Sequence, residues 1–227
     1  MLSKHHIEMS IFSHIILFSW LIFLNTVVFL IILCGVFIGC LLPDTDLPRS
    51  KIDYMEGIAG FFGIISKNLL NPFVAKIFEY YFKKPIDQSH RGITHTIYGI
   101  LAYCLLIEGL SLLILFLLGF GPLMLMYSFF VLGLILGGIF HLLEDSCTKM
   151  GVFPFYPVNP NKKYSGTIST YDLADARPKY FSSSLLIVAA FLLTLQIAAK
   201  FPVWINIFFS ICSFLIVWIL IIVISRV

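Results

Sequence analysis

The chain has 227 residues, of which 59% are apolar and only 12% charged, and its mean hydropathy is +0.99; soluble domains carry roughly 45–50% apolar and about 25% charged residues. That excludes a soluble globular enzyme and a disordered chain, and predicts an all-α, polytopic transmembrane helix bundle forming a single membrane domain over residues 1–227. The net charge of +3 is uninformative with so few charges, and nothing in the sequence implies a nucleic-acid partner.

A bilayer core about 30 Å thick needs roughly 20 mostly apolar residues as helix. About five segments qualify: Ile15–Leu42, Ile97–Phe120, Leu123–Leu143, Tyr180–Ala199 and Val203–Ile224. They divide the chain into a first apolar segment or hairpin (11–42), a cytoplasmic, interfacial segment (43–92) and a helix pair (93–143). A cytoplasmic loop (144–180) and a C-terminal helix pair (181–225) follow. The first run follows a short polar start with Lys4, yet it is too long for a signal h-region of about 7–15 residues and has no small-residue cleavage site. It is read as retained. As one helix it would be about 42 Å long and would leave His14 on the membrane face opposite Asp44. A turn at Asn25-Thr26 would instead make a hairpin and return His14 to the side of Asp44.

"LLPDTDLP" ends that run. Pro43 and Pro48 stop the helix and stiffen the turn, while Asp44 and Asp46 repel one another unless a cation or donor lies between them. An exposed acidic turn would read the same way in isolation. Tyr54–Phe82 then shows helical spacing of apolar residues interrupted by Glu56, Lys67, Asn68, Lys76 and Glu79, which predicts interfacial amphipathic helices broken near Asn71-Pro72.

"HRGITHT" stands before the next span. His90 and His95, five apart, would point about 140° from each other on a continuous helix. Gly92 offers the break that lets His90 sit in the loop, His95 in the first turn of the helix, and both rings converge. Arg91 supplies a fork of donors suited to carboxylate or phosphate, though a snorkelling arginine beside interfacial histidines is an equal reading. In "GGIFHLLEDSCTKMG", His141 and Asp145 share one helical face, and Glu144 is a spare ligand or a supporting group. Gly137 and Gly138 would admit a closely packed helix. The Pro-, Asn- and aromatic-rich stretch Gly151–Tyr180 predicts an ordered interfacial loop. Of the five cysteines, Cys34, Cys40, Cys104 and Cys212 lie in apolar runs; without a CxxC pair they read as reduced core residues.

Lys and Arg concentrate in Pro43–Gly92 and Glu144–Lys179, whereas the opposite connections carry only Lys200. The positive-inside rule therefore puts both polar loops, and with them Asp44, Asp46, His90, His95, His141 and Asp145, at the cytoplasmic boundary of the membrane, which is expected to be the cell's inner, cytoplasmic membrane. Ionisable groups at that depth are costly and usually functional. Mixed imidazole and carboxylate ligands suit Zn²⁺, Mn²⁺ or Fe²⁺ better than Mg²⁺ or Ca²⁺, and six candidates leave room for two ions.

Together "LLPDTDLPRS", "HRGITHT" and "LGGIFHLLEDSCTKMGVFPFYP" resemble, in order, the motifs of the YdjM-type family of membrane-bound, metal-dependent hydrolases. The resemblance runs from about Ser13 to Pro157. It implies that Asp44, Asp46, His90, His95, His141 and Asp145 belong to a metal site, and "SHIILFS" adds His14 as a further candidate. Leu47 and Lys149 depart from the pattern, which often has His and Pro there. The expected function is hydrolysis of an ester or phosphoester bond, of a lipid-like substrate given the site's depth in the bilayer. Arg91 would stabilise developing charge and a carboxylate such as Glu144 would act as base. The competing expectations are a metal- or proton-coupled transporter, for which only Glu108 is a charged mid-span residue, and a non-catalytic adaptor with a metal-stabilised loop.

Overall fold

The computed structural model describes residues 3–46, 64–83, 85–86, 91–169 and 174–227, without the side chains of Ser3, Asp46, Ser66 and Lys67. Their helices are α1 (Ser3–Leu24), α2 (Thr26–Gly39), α3 (Asn71–Phe82), α4 (Ile97–Leu117), α5 (Gly121–Ser146), α6 (Arg177–Ala199) and α7 (Val203–Ser225). All but α3 are long and apolar enough to cross a membrane, which makes six candidate spans.

The sixth span comes from the first apolar run, which is a hairpin. Asn25 leaves the helical conformation at φ −156° and its side chain accepts a hydrogen bond from Val28 N at 3.1 Å, the interaction that makes Asn a strong helix start. The arm before the turn begins at Ser3, well before the apolar run. Its polar residues His6, Ser10 and Ser13 are buried against other helices, so the segment read as a polar start is helix.

Glycines set the closest helix pair. A Cβ on Gly35 of α2 would stand 2.8 Å from Gly133 Cα of α5, and one on Gly137 would stand 2.6 Å from Cys40 N. Bare backbones can therefore touch where lipid offers no hydrophobic drive for association. Gly133→Ala is expected to destabilise the protein by about 1–3 kcal/mol through overpacking, read as a lower unfolding midpoint in detergent. Gly109→Ala is the control, because a Cβ there meets nothing within 4 Å. Elsewhere polar side chains join helices: Gln196 Nε2 donates to Ser19 Oγ at 3.0 Å, and Trp218 Nε1 to Ser13 Oγ at 3.0 Å.

At the break predicted near Asn71-Pro72 the chain passes from a π turn, Ser66–Leu70, into α3 without leaving the helical conformation. Helix α3 buries Val74 and Ala75 and exposes Tyr80 and Tyr81, as an interfacial helix does. Residues 54–63 of that predicted segment lie outside the described residues.

Up-and-down order places the ends of α2, α5 and α7 and the starts of α1, α4 and α6 at one end of the bundle. The described residues of the segment after α5, 147–169 and 174–176, close over this end. Isolated bridges join Thr148 to Ile168 and Val152 to Tyr164. Thr167 N donates to Ser225 O at 2.8 Å, and Ile97 N to Pro154 O at 2.9 Å, tying the segment to α7 and α4. Arg177 grips Asp175 with Nε at 2.9 Å and Nη2 at 2.6 Å. Those bonds hold the Asp175 carboxyl well below the usual carboxylate range. All five cysteines are free; burial pushes the Cys147 thiol up to about 11, which leaves it inert.

Candidate metal centre

Each predicted motif contributes one local device. At the end of α2 the 3₁₀ turn Pro43–Asp46 is closed by Thr45, whose N and Oγ1 both donate to Leu42 O, at 3.1 and 2.7 Å. The turn sets Asp44 at the mouth of the cluster, with a side chain 16% exposed. His95 ends a second 3₁₀ turn, Ile93–His95, and Thr96 then caps α4 by accepting from Gly99 N at 2.9 Å. His95 therefore precedes α4, where it had been expected in the first turn. The hinge also differs: the left-handed residue is Arg91, at φ 69°, and not Gly92. A non-glycine residue held there carries about 1–3 kcal/mol of strain. The guanidinium offsets this, because Nη2 lies 2.9 Å from Asp145 Oδ2 while Nη1 donates to Gly151 O at 2.9 Å and Thr148 Oγ1 at 3.3 Å. His141 and Asp145 share a face of α5 as their spacing requires, with Nε2 and Oδ2 3.7 Å apart.

These devices converge. His95 Nε2 lies 3.5 Å from Asp44 Oδ1 and 3.8 Å from Asp145 Oδ2. His141 Nε2 lies 3.7 Å from each of the same two oxygens. A third imidazole, which the sequence reading missed, comes from α1: His6 Nε2 stands 3.6 Å from Asp145 Oδ1, and its ring stacks on His141 with centroids 4.1 Å apart. Within this cluster His6, Asp44 and His141 form one group able to hold a metal ion, and His95, His141 and Asp145 another, each with ligand atoms within 4.8 Å of one another.

The other ring nitrogens are all engaged by protein. His141 Nδ1 donates to Cys40 O at 2.7 Å, His6 Nδ1 pairs with Glu144 Oε2 at 2.5 Å, and His95 Nδ1 is hydrogen-bonded to Thr94 Oγ1 at 3.0 Å. A carbonyl can only accept, so His141 carries its proton on Nδ1 and presents a lone pair at Nε2, which has no hydrogen-bond partner. Glu144 is fully buried and also accepts from Ser10 Oγ at 3.0 Å. Its carboxylate braces an imidazole of the cluster.

Of the other candidates, His14 stands apart. Its ring packs against Phe18 and Phe29, with centroids 5.1 and 4.9 Å away, and it belongs to neither group. The hairpin explains why. His6 and Asp44 are equally far along the chain from the turn at Asn25, so antiparallel arms place them level. His14 lies about 12 Å deeper at 1.5 Å per residue. That symmetry about Asn25 was the signal for His6. His90 and the side chain of Asp46 lie outside the described residues.

Six candidate spans with a buried histidine and carboxylate cluster at one end define a polytopic helical membrane protein. The family model of the YdjM inner membrane protein matches residues 1–226, and the chain belongs to that family. No curated protein and no solved structure matches the chain.

Proposed function

We propose that the protein is a membrane-embedded, metal-dependent hydrolase that cleaves an ester or phosphoester bond at the cytoplasmic face. One observation carries this reading: three imidazoles have Nδ1 anchored to protein and Nε2 within 3.8 Å of Asp145, and two of them, His95 and His141, also face Asp44. Anchoring of the distal nitrogen is how metal-binding histidines are oriented and made more basic. His6, His95, His141, Asp44 and Asp145 would hold the ion, and their mixed nitrogen and oxygen donors suit Zn²⁺ or Mn²⁺. His141 belongs to both groups, so one ion or a pair is compatible with this donor set. A bound divalent ion supplies a water whose pKa falls toward about 7.

The chain supplies the rest. Asp44, at the open edge, would serve as the proton acceptor, and Glu144 would hold His6 in register. Arg91 fixes Asp145 and also lines a cavity of about 160 Å³ with Gly92, Phe153, Tyr156 and Pro160. A substrate oxygen entering that cavity would meet the guanidinium, in keeping with the expected charge stabilisation. The cytoplasmic orientation rests on the concentration of Lys and Arg in the connections at this end.

The test is turnover by purified, metal-loaded protein on activated carboxyl, phosphomonoester and phosphodiester substrates. The expected result is activity on at least one class that disappears on chelation and returns when metal is added back. No turnover on any class, or turnover indifferent to chelation, would overturn the proposal.

A further inference from the structure

A second cavity, of about 250 Å³, adjoins the cluster and has no part in the chemistry proposed above. Ile139, Leu142, Leu143 and Ser146 form one wall, at the spacing of a single face of α5. His141 and Asp145 occupy another face of the same two turns. Val152, Pro154 and Phe155 of the covering segment form the opposite wall, and Ile97, two residues after His95, closes one side. The cavity is thus almost wholly apolar, yet it sits at the end of the bundle where spans give way to polar connections. Its volume is below the roughly 300–1,000 Å³ of a site that encloses a complete small molecule. It has room for part of one chain.

Charge is distributed around it in a consistent way. Lys162 Nζ lies 5.8 Å from the Phe155 ring centroid and 5.2 Å from that of Tyr164, and both rings line the cavity. Lys163 Nζ lies 5.8 Å from the ring of Phe153, which lines the Arg91 cavity. Among the described residues no carboxylate lines either space. An apolar slot with cations at its aromatic rim complements a molecule with a hydrocarbon chain and a negative headgroup.

Resting on the hydrolase reading, we infer that this cavity is the chain-binding subsite for an anionic phospholipid. Part of one acyl chain lies between α5 and the covering segment, Lys162 and Lys163 attract the headgroup, and the rest of the lipid stays in the bilayer. The subsite makes the substrate class an anionic lipid and not a soluble ester.

The experiment uses the full chain in phosphatidylcholine vesicles doped with phosphatidylglycerol that carries a diazirine in one acyl chain. After irradiation, labels are expected on peptides containing Ile139–Ser146 and Val152–Phe155. A phosphatidylcholine probe with the same chain should label them several-fold less, since each lysine near an anionic headgroup is worth about fivefold. Leu142→Trp and Ile139→Trp, which fill the slot, should each reduce that labelling sharply. Lys162→Glu with Lys163→Glu, both exposed positions outside the cluster, should erase the preference for the anionic probe. Equal labelling by the two probes, or labels spread along the spans and unmoved by either tryptophan, would overturn the inference. Labelling is read without turnover, and His141→Ala should keep it. Labels present with no hydrolysis would therefore count against the hydrolase reading alone, and hydrolysis of a soluble ester with no labels would count against the lipid subsite alone.

Discussion

His141→Ala is expected to empty the centre and abolish turnover together. His141 is the one residue common to both groups able to hold an ion, and its Nε2 faces Asp44 and Asp145 from a ring that Cys40 O fixes. Loss of a group that only orients a ligand typically weakens metal binding about 10–100-fold. Glu144→Gln, which touches the centre through His6, should fall in that range. His141→Ala should exceed it, leaving no metal after dialysis at a concentration of free ion that still saturates the native protein. Metal-bound native protein should also unfold at a higher temperature than the variant, because an ion present at about 1,000 times its Kd adds about 4 kcal/mol. If His141→Ala retains metal at the native ratio, the centre does not lie at His141.

Arg91→Ala is expected to be the most damaging change to stability. Its guanidinium is the partner of Asp145, whose side chain is 2% exposed, and it also holds Thr148 and Gly151 of the covering segment. Removing one partner of a buried charge pair typically costs about 3–5 kcal/mol. Arg91→Lys should rescue little, because a point charge cannot reach the three acceptors that the planar fork spans. Arg91→Gly should sit above Arg91→Ala by about 1–2 kcal/mol, the cost of a left-handed conformation with a Cβ. Thermal unfolding in detergent gives the ranking directly, and an unchanged midpoint for Arg91→Ala would show that the pair is not structural.

Much of this arrangement was legible in the sequence because local rules fix it. Proline stops the helix before Asp44, a four-residue step puts His141 and Asp145 on one face, and Gly137 marks a close helix contact. The order of spans then carries Asp44, His95, His141 and Asp145 to one end. Hydropathy misled at the N-terminus, because His6, Ser10 and Ser13 look solvated by composition, and only their burial against other helices makes them interior. His14 was the plausible histidine because it borders the apolar run, but depth along the hairpin decides which residue meets Asp44. Gly92 was the natural hinge by propensity. The hinge falls on Arg91 because its partners at 145, 148 and 151 are fixed by tertiary structure, which no local pattern reports. Glu144 was legible as a supporting group, but not which imidazole it holds, since its partners His6 and Ser10 lie on α1.

X-ray absorption at the metal edge of the metal-loaded protein reads the proposed centre most directly. The prediction is a shell of nitrogen and oxygen donors with the outer-shell signature of imidazole and no sulfur, weakened in His6→Ala. A shell of sulfur, or of oxygen alone with no imidazole, would contradict it.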